Sequence, residues 1–166
     1  MLLYLVLTNI SKRSNVRSLL QVAASFNCSA VFVVGQRQFN FDVEGNDIPP
    51  DLRQHVASDK MPIVRFEKWD ECVKHLRDEN IELVGIEIHE KAVNIEDFSS
   101  QRNVAFLPGN EGQGIHPKHM KDCDSFVKIS QYGGGTASLN VYVATSIVLS
   151  RYYERVEGLV SVPPPA

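Results

Sequence analysis

Short runs of aliphatic residues recur along the chain, and polar or glycine-rich stretches separate them. The runs at Leu2–Leu7 and Ala30–Val34 have the length and composition of buried parallel strands. Between them, apolar residues recur at helical spacing over Val16–Phe26, after Ser14 or Asn15 as the capping residue. This pattern predicts a β-α-β unit at the start of the chain.

The same alternation continues toward the end of the sequence. Residues 35–59 form a polar excursion with at most one helical turn. We predict helices at Glu67–Asn80 and Leu139–Tyr153, and further strands at Ile63–Phe66, Ile81–Ile88, Val104–Leu107 and Phe126–Ile129. Strands that alternate with helices indicate an α/β domain with a mostly parallel sheet and helices on both faces. We expect one domain over residues 1–157 and a flexible, proline-rich tail over residues 158–166.

Composition narrows the class of protein without indicating a function. Apolar residues make up 43% and charged residues 22%, which is typical of a globular protein, and no apolar run is long enough to span a membrane. Three scattered cysteines indicate reduced thiols and an intracellular, cytoplasmic location. With a net charge of −3, any binding of nucleic acid would depend on a local basic patch or on dimerisation.

Two glycine-rich loops follow predicted strands in the last third of the chain, at residues 108–114 and 131–140. Ligands of parallel sheets bind outside the carboxyl ends of the strands, and glycine permits close approach of the backbone. The loops therefore predict either a small-molecule pocket or turns without a ligand. The glycine spacing of the first loop does not match a dinucleotide-binding fingerprint.

Together, the loops and the first helix resemble the signature motifs of the SpoU (TrmH-like) RNA methyltransferases. The second and third motifs are matched by LPGNEGQGI (Leu107–Ile115) and KISQYGGGTASLNVYVATSIVL (Lys128–Leu149), and residues 11–26 occupy the place of the first. The resemblance implies a deep C-terminal trefoil knot that binds S-adenosylmethionine, with S-adenosylhomocysteine as the product. It also implies methyl transfer to a ribose 2′-hydroxyl of tRNA or rRNA by a homodimer.

The resemblance assigns roles to individual residues. Active-site positions are matched by Asn15, Glu111, Ser138 and Asn140. Cofactor-binding positions are matched by Leu107, Gly109, Asn110, Gly112, Ile129, Gln131, Gly133 and Leu139. Simpler roles stay open for several of them: core packing for the apolar residues, a solvated acid for Glu111, and a helix cap for Ser138 or Asn140.

The first motif departs from the family pattern at two positions. Arg17 stands where the family has glycine, and Gln21 stands where it has the arginine that helps to deprotonate the ribose hydroxyl. Glutamine has no ionisable group, so two hypotheses follow. Either Arg17, one helical turn from Gln21, takes over the role and the enzyme is active, or the protein is an impaired relative that still binds RNA or cofactor.

Basic residues at the start of the first helix form the predicted RNA phosphate contact, with a solvated loop as the alternative: Lys12, Arg13 and Arg17. No metal site is predicted, because His116 and His119 have no third ligand nearby in sequence. A nicotinamide-dependent oxidoreductase is the competing function from another class, and binding of S-adenosylmethionine would distinguish the two.

Overall fold

The computed structural model describes residues 1–134 and 139–159, with side chains described up to residue 156. Its strands are β1 (Leu3–Thr8), β2 (Ala30–Val34), β3 (Ile63–Phe66), β4 (Glu82–Ile86), β5 (Val93–Asn94), β6 (Val104–Pro108) and β7 (Ser125–Lys128). Its helices are α1 (Arg13–Ser25), α2 (Arg53–Ala57), α3 (Trp69–Asp78), α4 (Pro117–Met120) and α5 (Val141–Leu159). Each predicted strand is present, with its ends within two residues of the prediction.

The seven strands form one sheet in the order β3-β2-β1-β6-β4-β7-β5. All neighbouring strands in this order run parallel. The chain first builds outward from β1 through β2 and β3, and then places its later strands on the other side of β1. Ligands of open α/β sheets bind at the carboxyl ends of strands near such a change of direction, which here lies between β1 and β6.

The sheet separates two hydrophobic layers, which confirms helices on both faces. On one face, Leu5 and Leu7 of β1 pack with α1 and α5. On the other face, Val6 of β1 and Phe32 of β2 pack with Leu76 of α3. Successive residues of a strand point to opposite faces, so a strand buried on both sides is a continuous aliphatic run.

Three details differ from the sequence-based expectations. First, α1 begins at Arg13 after Lys12, and no side chain caps it, so neither Ser14 nor Asn15 is its cap. Second, the excursion over residues 35–59 contains more helix than the one turn expected, because a 3₁₀ turn at Pro50–Leu52 runs into α2; its Phe39 and Phe41 belong to the core. Third, α5 continues to Leu159, past its predicted end at Tyr153. In the described part of the chain, no helix is long and apolar enough to cross a membrane.

Candidate functional site

A cavity of about 340 Å³ lies at the carboxyl ends of three adjacent strands, β6, β4 and β7, beside the first turns of α5. Six of the eight predicted cofactor positions line it: Gly109, Asn110, Gly112, Ile129, Gln131 and Leu139. Leu107 does not, because its side chain is 1% exposed in the core beneath the site. Gly133 is not part of the lining either. The two glycine-rich loops thus come together around one cavity.

The loop after β6 is a tight turn held by its own hydrogen bonds. The backbones of Asn110 and Gly114 exchange two hydrogen bonds, of 2.8 and 3.0 Å. The side-chain oxygen of Asn110 accepts hydrogen bonds from the backbone N–H groups of Gly112 and Gln113. Gly109 lies so close to Gly114 that an added Cβ atom would be 2.7 Å from the Gly114 backbone. This turn therefore presents a fixed backbone surface to the cavity, as the glycine pattern predicts.

Glu111, at the tip of this turn, binds the beginning of α1. Its carboxylate accepts hydrogen bonds from the backbone N–H of Ser11 at 3.0 Å, from that of Lys12 at 2.9 Å, and from the amide of Asn15 at 3.0 Å. Asn110 adds a fourth link, because its amide donates to the carbonyl of Asn9 at 2.7 Å. The first and second motifs, about 100 residues apart in sequence, therefore form one structural unit.

These contacts also determine the charge of Glu111. Partial burial opposes its ionisation, but the hydrogen bonds from Ser11, Asn15 and Lys12 outweigh this effect and hold the pKa of the carboxyl below its ordinary value. Glu111 is therefore an ionised clamp at neutral pH. The α1 N-terminus adds to this preference, since backbone N–H groups and the helix dipole both favour a negative charge there.

The third motif is described only in part, because Ser138 lies outside the described residues. Asn140 precedes α5 and caps it: its side-chain oxygen accepts a hydrogen bond from the backbone N–H of Tyr142 at 3.0 Å. Its sequence neighbours Leu139 and Val141 line the cavity, and Asn140 itself is not among the lining residues. The helix-cap alternative is therefore present in the structure, and the active-site role of Asn140 stays a prediction.

The basic residues of the first motif differ in their surroundings. Arg13 forms an ion pair with Asp47 at 2.8 Å, and the Asp47 side chain is 2% exposed. The guanidinium of Arg17 donates to the backbone carbonyl of Asn46. Both arginines are therefore engaged by the excursion, whereas the Lys12 side chain is exposed. Gln21 is exposed as well, and the described residues offer its side chain no hydrogen-bond partner.

Sequence reasoning did not identify every group in the cavity wall. Glu87, directly after β4, lines the cavity and accepts a hydrogen bond from the backbone N–H of Ile115 at 2.7 Å. Lys128, the last residue of β7, lines it too. A signal for both was available, because they follow or end predicted strands whose carboxyl ends meet at this edge.

The histidines near the second motif have structural contacts. The His116 side chain accepts a hydrogen bond from the backbone N–H of Lys118 at the start of α4, and His119 stacks on Trp69 at 4.1 Å. Burial lowers the pKa of His119. Among the described residues, no group of three or more His, Cys, Asp or Glu side chains is placed to hold a metal ion.

Comparison with known proteins identifies the family that has this fold and site. The profile of the SpoU rRNA Methylase family matches residues 2–150. The chain belongs to this family. Membership confirms the resemblance found in the motifs and leaves the oxidoreductase alternative without support.

Individual relatives extend the comparison. The chain is 27% identical over 150 residues to the 23S rRNA (guanosine-2'-O-)-methyltransferase RlmB of Acinetobacter baylyi, covering 89% of this chain and 57% of that protein. The chain thus spans a little over half the length of this curated relative. The SpoU methyltransferase AviRb of Streptomyces viridochromogenes has a similar fold, with a TM-score of 0.75 and 24% identity over 95% of this chain and 61% of its own. A further structure of AviRb contains the cofactor AdoMet.

One solved structure has nearly the same extent as this chain. It is described as giving structural insights into the 2-OH methylation of C/U34 on tRNA. Its TM-score is 0.75 at 16% identity, and the match covers 95% of this chain and 97% of that one. At this identity the similarity shows a shared fold.

Proposed function

We propose that this protein transfers the methyl group of S-adenosylmethionine to a ribose 2′-hydroxyl of tRNA or rRNA. The observation that carries the proposal is the set of hydrogen bonds by which Glu111 joins the loop at the cavity to the start of α1. The cofactor cavity and the side chains of the first motif are therefore held in a fixed position relative to each other. The transfer of a group between two bound reactants requires such positioning. RlmB, the relative described above, is a guanosine-2'-O-methyltransferase.

The cavity fits the proposed cofactor in size and in chemistry. Its volume, about 340 Å³, is in the range of small-molecule sites, and backbone groups of the 109–114 turn stand beside apolar side chains such as Ile129 and Leu139. Such walls suit an adenosine, whose ring needs apolar surface and whose polar edges need backbone partners. When bound, S-adenosylmethionine supplies an electrophilic methyl group attached to a positively charged sulfur.

The chain's own residues then have to position the ribose and accept its proton. Asn15 is held by Glu111, which fixes the first turn of α1 beside the cavity. For Arg17 to replace the family arginine, its guanidinium must leave the Asn46 carbonyl and approach the reacting hydroxyl. Lys12 remains the exposed basic group for an RNA phosphate.

One observation favours a second candidate, an impaired relative that binds RNA or cofactor without transferring methyl groups. Arg17 is engaged by the excursion, and Gln21 cannot take a proton. Methyl transfer from labelled cofactor to cellular RNA separates the two candidates, with nuclease digestion to identify 2′-O-methyl nucleosides.

Variants of the first motif make this assay decisive. We expect Arg17→Ala to lower transfer by roughly a hundredfold, because a positioned proton acceptor usually contributes about 10²-fold or more. Gln54→Arg on the exposed surface of α2 is the control for Gln21→Arg, since both add one positive charge. If the unmodified protein is inert and only Gln21→Arg methylates RNA, the impaired-relative proposal is correct. If Arg17→Ala keeps full activity, Arg17 is not the substitute.

We further propose a homodimer and the C-terminal knot implied by the family motifs. Three exposed apolar side chains adjoin residues of the cavity wall, which supports a partner subunit covering the cavity mouth: Ile88, Tyr132 and Tyr142. Sedimentation at micromolar concentration tests the dimer, and a monomer would contradict it. Except for Ile86, Glu87 and Ile88, the residues that line the cavity come from residues 108–145, the region in which we propose the knot.

A further inference from the structure

One carboxylate in the cavity wall has a fixed position and no described counterion. Glu87 continues β4, and its backbone N–H donates to the carbonyl of Val127 in β7 at 3.1 Å. One carboxylate oxygen accepts the backbone N–H of Ile115 at 2.7 Å. Gly114 rests against the same carboxylate, since an added Cβ atom there would be 2.6 Å from it. The hydrogen bond therefore holds the side chain against the 109–115 turn.

The second oxygen of Glu87 is available to a ligand. Among the described residues, no group donates a hydrogen bond to it, and no Lys, Arg or His nitrogen lies within 4.0 Å of the carboxylate. Glu87 is partly buried and lines the cavity. Because the wall is partly shielded from water, an unpaired negative charge there acts on a ligand more strongly than a surface charge does.

The other charged groups of the cavity wall do not offer an equivalent anion. Glu111 also lines the cavity, but its oxygens accept hydrogen bonds from Ser11, Lys12 and Asn15. Lys128 is the cation of the lining, and its ammonium lies on a flexible stem with no described ion pair. The fixed, unshared charge of the wall is therefore that of Glu87.

We propose, on the basis of the function proposed above, that Glu87 makes the cavity prefer positively charged S-adenosylmethionine to its neutral product S-adenosylhomocysteine. The two ligands share the adenosine and the amino-acid group, and they differ by one methyl group and one positive charge. Contacts with the shared parts contribute equally to the binding of both ligands, so they cancel when the two affinities are compared. The Glu87 carboxylate attracts the positive charge that only S-adenosylmethionine carries. Loss of the charge on transfer then weakens binding of the product and promotes its release.

The test is the ratio of two dissociation constants, measured by calorimetry on the whole chain for each ligand. Glu87→Gln keeps an oxygen that can accept the Ile115 N–H and removes only the charge. We expect this substitution to weaken the binding of S-adenosylmethionine roughly tenfold more than that of S-adenosylhomocysteine, which corresponds to about 1.4 kcal/mol. A non-reactive analogue with an amine in place of the methylsulfonium group should behave like S-adenosylmethionine, because it also carries the charge.

Two further variants make the outcome unambiguous. Glu90→Gln removes an equal charge from an exposed position outside the cavity lining and should leave the ratio unchanged. Glu87→Asp keeps the charge and should retain most of the preference, even where the Gln variant folds poorly. Equal weakening of both ligands by Glu87→Gln, or no weakening, overturns the inference. If the unmodified protein binds neither ligand, the proposed function itself fails, and the inference fails with it.

Discussion

The clamp formed by Glu111 gives the sharpest prediction about stability, because one carboxylate joins two motifs. We consider the substitution Glu111→Ala. It removes the acceptor for two backbone N–H groups, of Ser11 and Lys12, and for the Asn15 amide. The Asn15 side chain is buried and would be left without this partner, whereas water can reach the two backbone groups.

The magnitude follows from these three hydrogen bonds. A hydrogen bond to a charged group contributes about 1.5 kcal/mol or more, and solvent access at Ser11 and Lys12 reduces that contribution. We therefore expect Glu111→Ala to lower the free energy of unfolding by about 2 kcal/mol, and Glu111→Gln by about half as much. For a chain of 166 residues, 2 kcal/mol corresponds to a fall in Tm of roughly 4–8 °C.

The pH dependence of stability provides a second, independent test of the Glu111 clamp. The pKa of Glu111 is lower in the folded state than its ordinary value of 4.5. Its contribution to stability is therefore complete above the ordinary value and is lost as the pH falls through the folded-state pKa. The difference in unfolding free energy between the unmodified protein and Glu111→Gln should be constant above about pH 5.5 and shrink on further acidification.

Urea denaturation at several pH values measures both quantities. Glu67→Ala is the matched control, because Glu67 is exposed and has no described side-chain partner. A double-mutant cycle with Asn15→Ala should give a coupling energy of about 1 kcal/mol. Equal stability of Glu111→Ala and the unmodified protein would show that the clamp does not stabilise the fold, and additive effects in the cycle would show that Asn15 contributes nothing to it.

Three further predictions concern the loop, the ion pair of Arg13 with a buried carboxylate, and the thiols. Gly114→Ala should weaken binding of S-adenosylmethionine in calorimetry, because Gly114 has a φ of +71° and an added Cβ atom would displace the Glu87 carboxylate from the cavity wall. Gly134→Ala is the control and should bind normally, because an added Cβ atom there meets nothing within 4 Å and Gly134 does not line the cavity. Arg13→Ala should lower the unfolding free energy by about 1–2 kcal/mol in urea denaturation, because the buried Asp47 carboxylate loses its ion pair but keeps the hydrogen bond from the Asn40 N–H, and the Arg13 side chain is 56% exposed; an unchanged free energy would contradict this. Burial raises the pKa of the three thiols, those of Cys28, Cys72 and Cys123, to about 12. In the folded protein at pH 8, iodoacetamide should therefore alkylate none of them within a time that fully modifies the urea-unfolded chain, as measured by mass spectrometry.

The strands were predictable because of how they are buried. A central parallel strand such as β2 is covered on both faces, so all of its residues are apolar and its limits are visible in the sequence. The two-residue strand β5 was missed, since Val93–Asn94 is too short to show any periodicity. The predicted start of α1 is wrong because Asn15, a typical capping residue, donates a hydrogen bond to Glu111 and does not cap the helix.

The site was predictable where backbone conformation decides the residue type, and less so where distant contacts do. Glycine at residue 114 reflects a backbone requirement that is legible in the motif. Glu87, by contrast, looks like any acid at the end of a strand, and its role depends on Ile115, 28 residues later. The engagement of Arg17 by Asn46 likewise arises from the packing of the excursion, which no local pattern indicates.

The position of β6 in the sheet has a consequence for synthesis of the protein on the ribosome. The first strand, β1, pairs with β6 as well as with β2. The middle of the sheet therefore cannot form until residues 104–108 have been synthesised. Until then the nascent chain exposes one edge of β1, the kind of surface on which strands from other chains can add. Folding should therefore be slow relative to helical proteins of this size, and chaperones that shield strand edges should raise the yield.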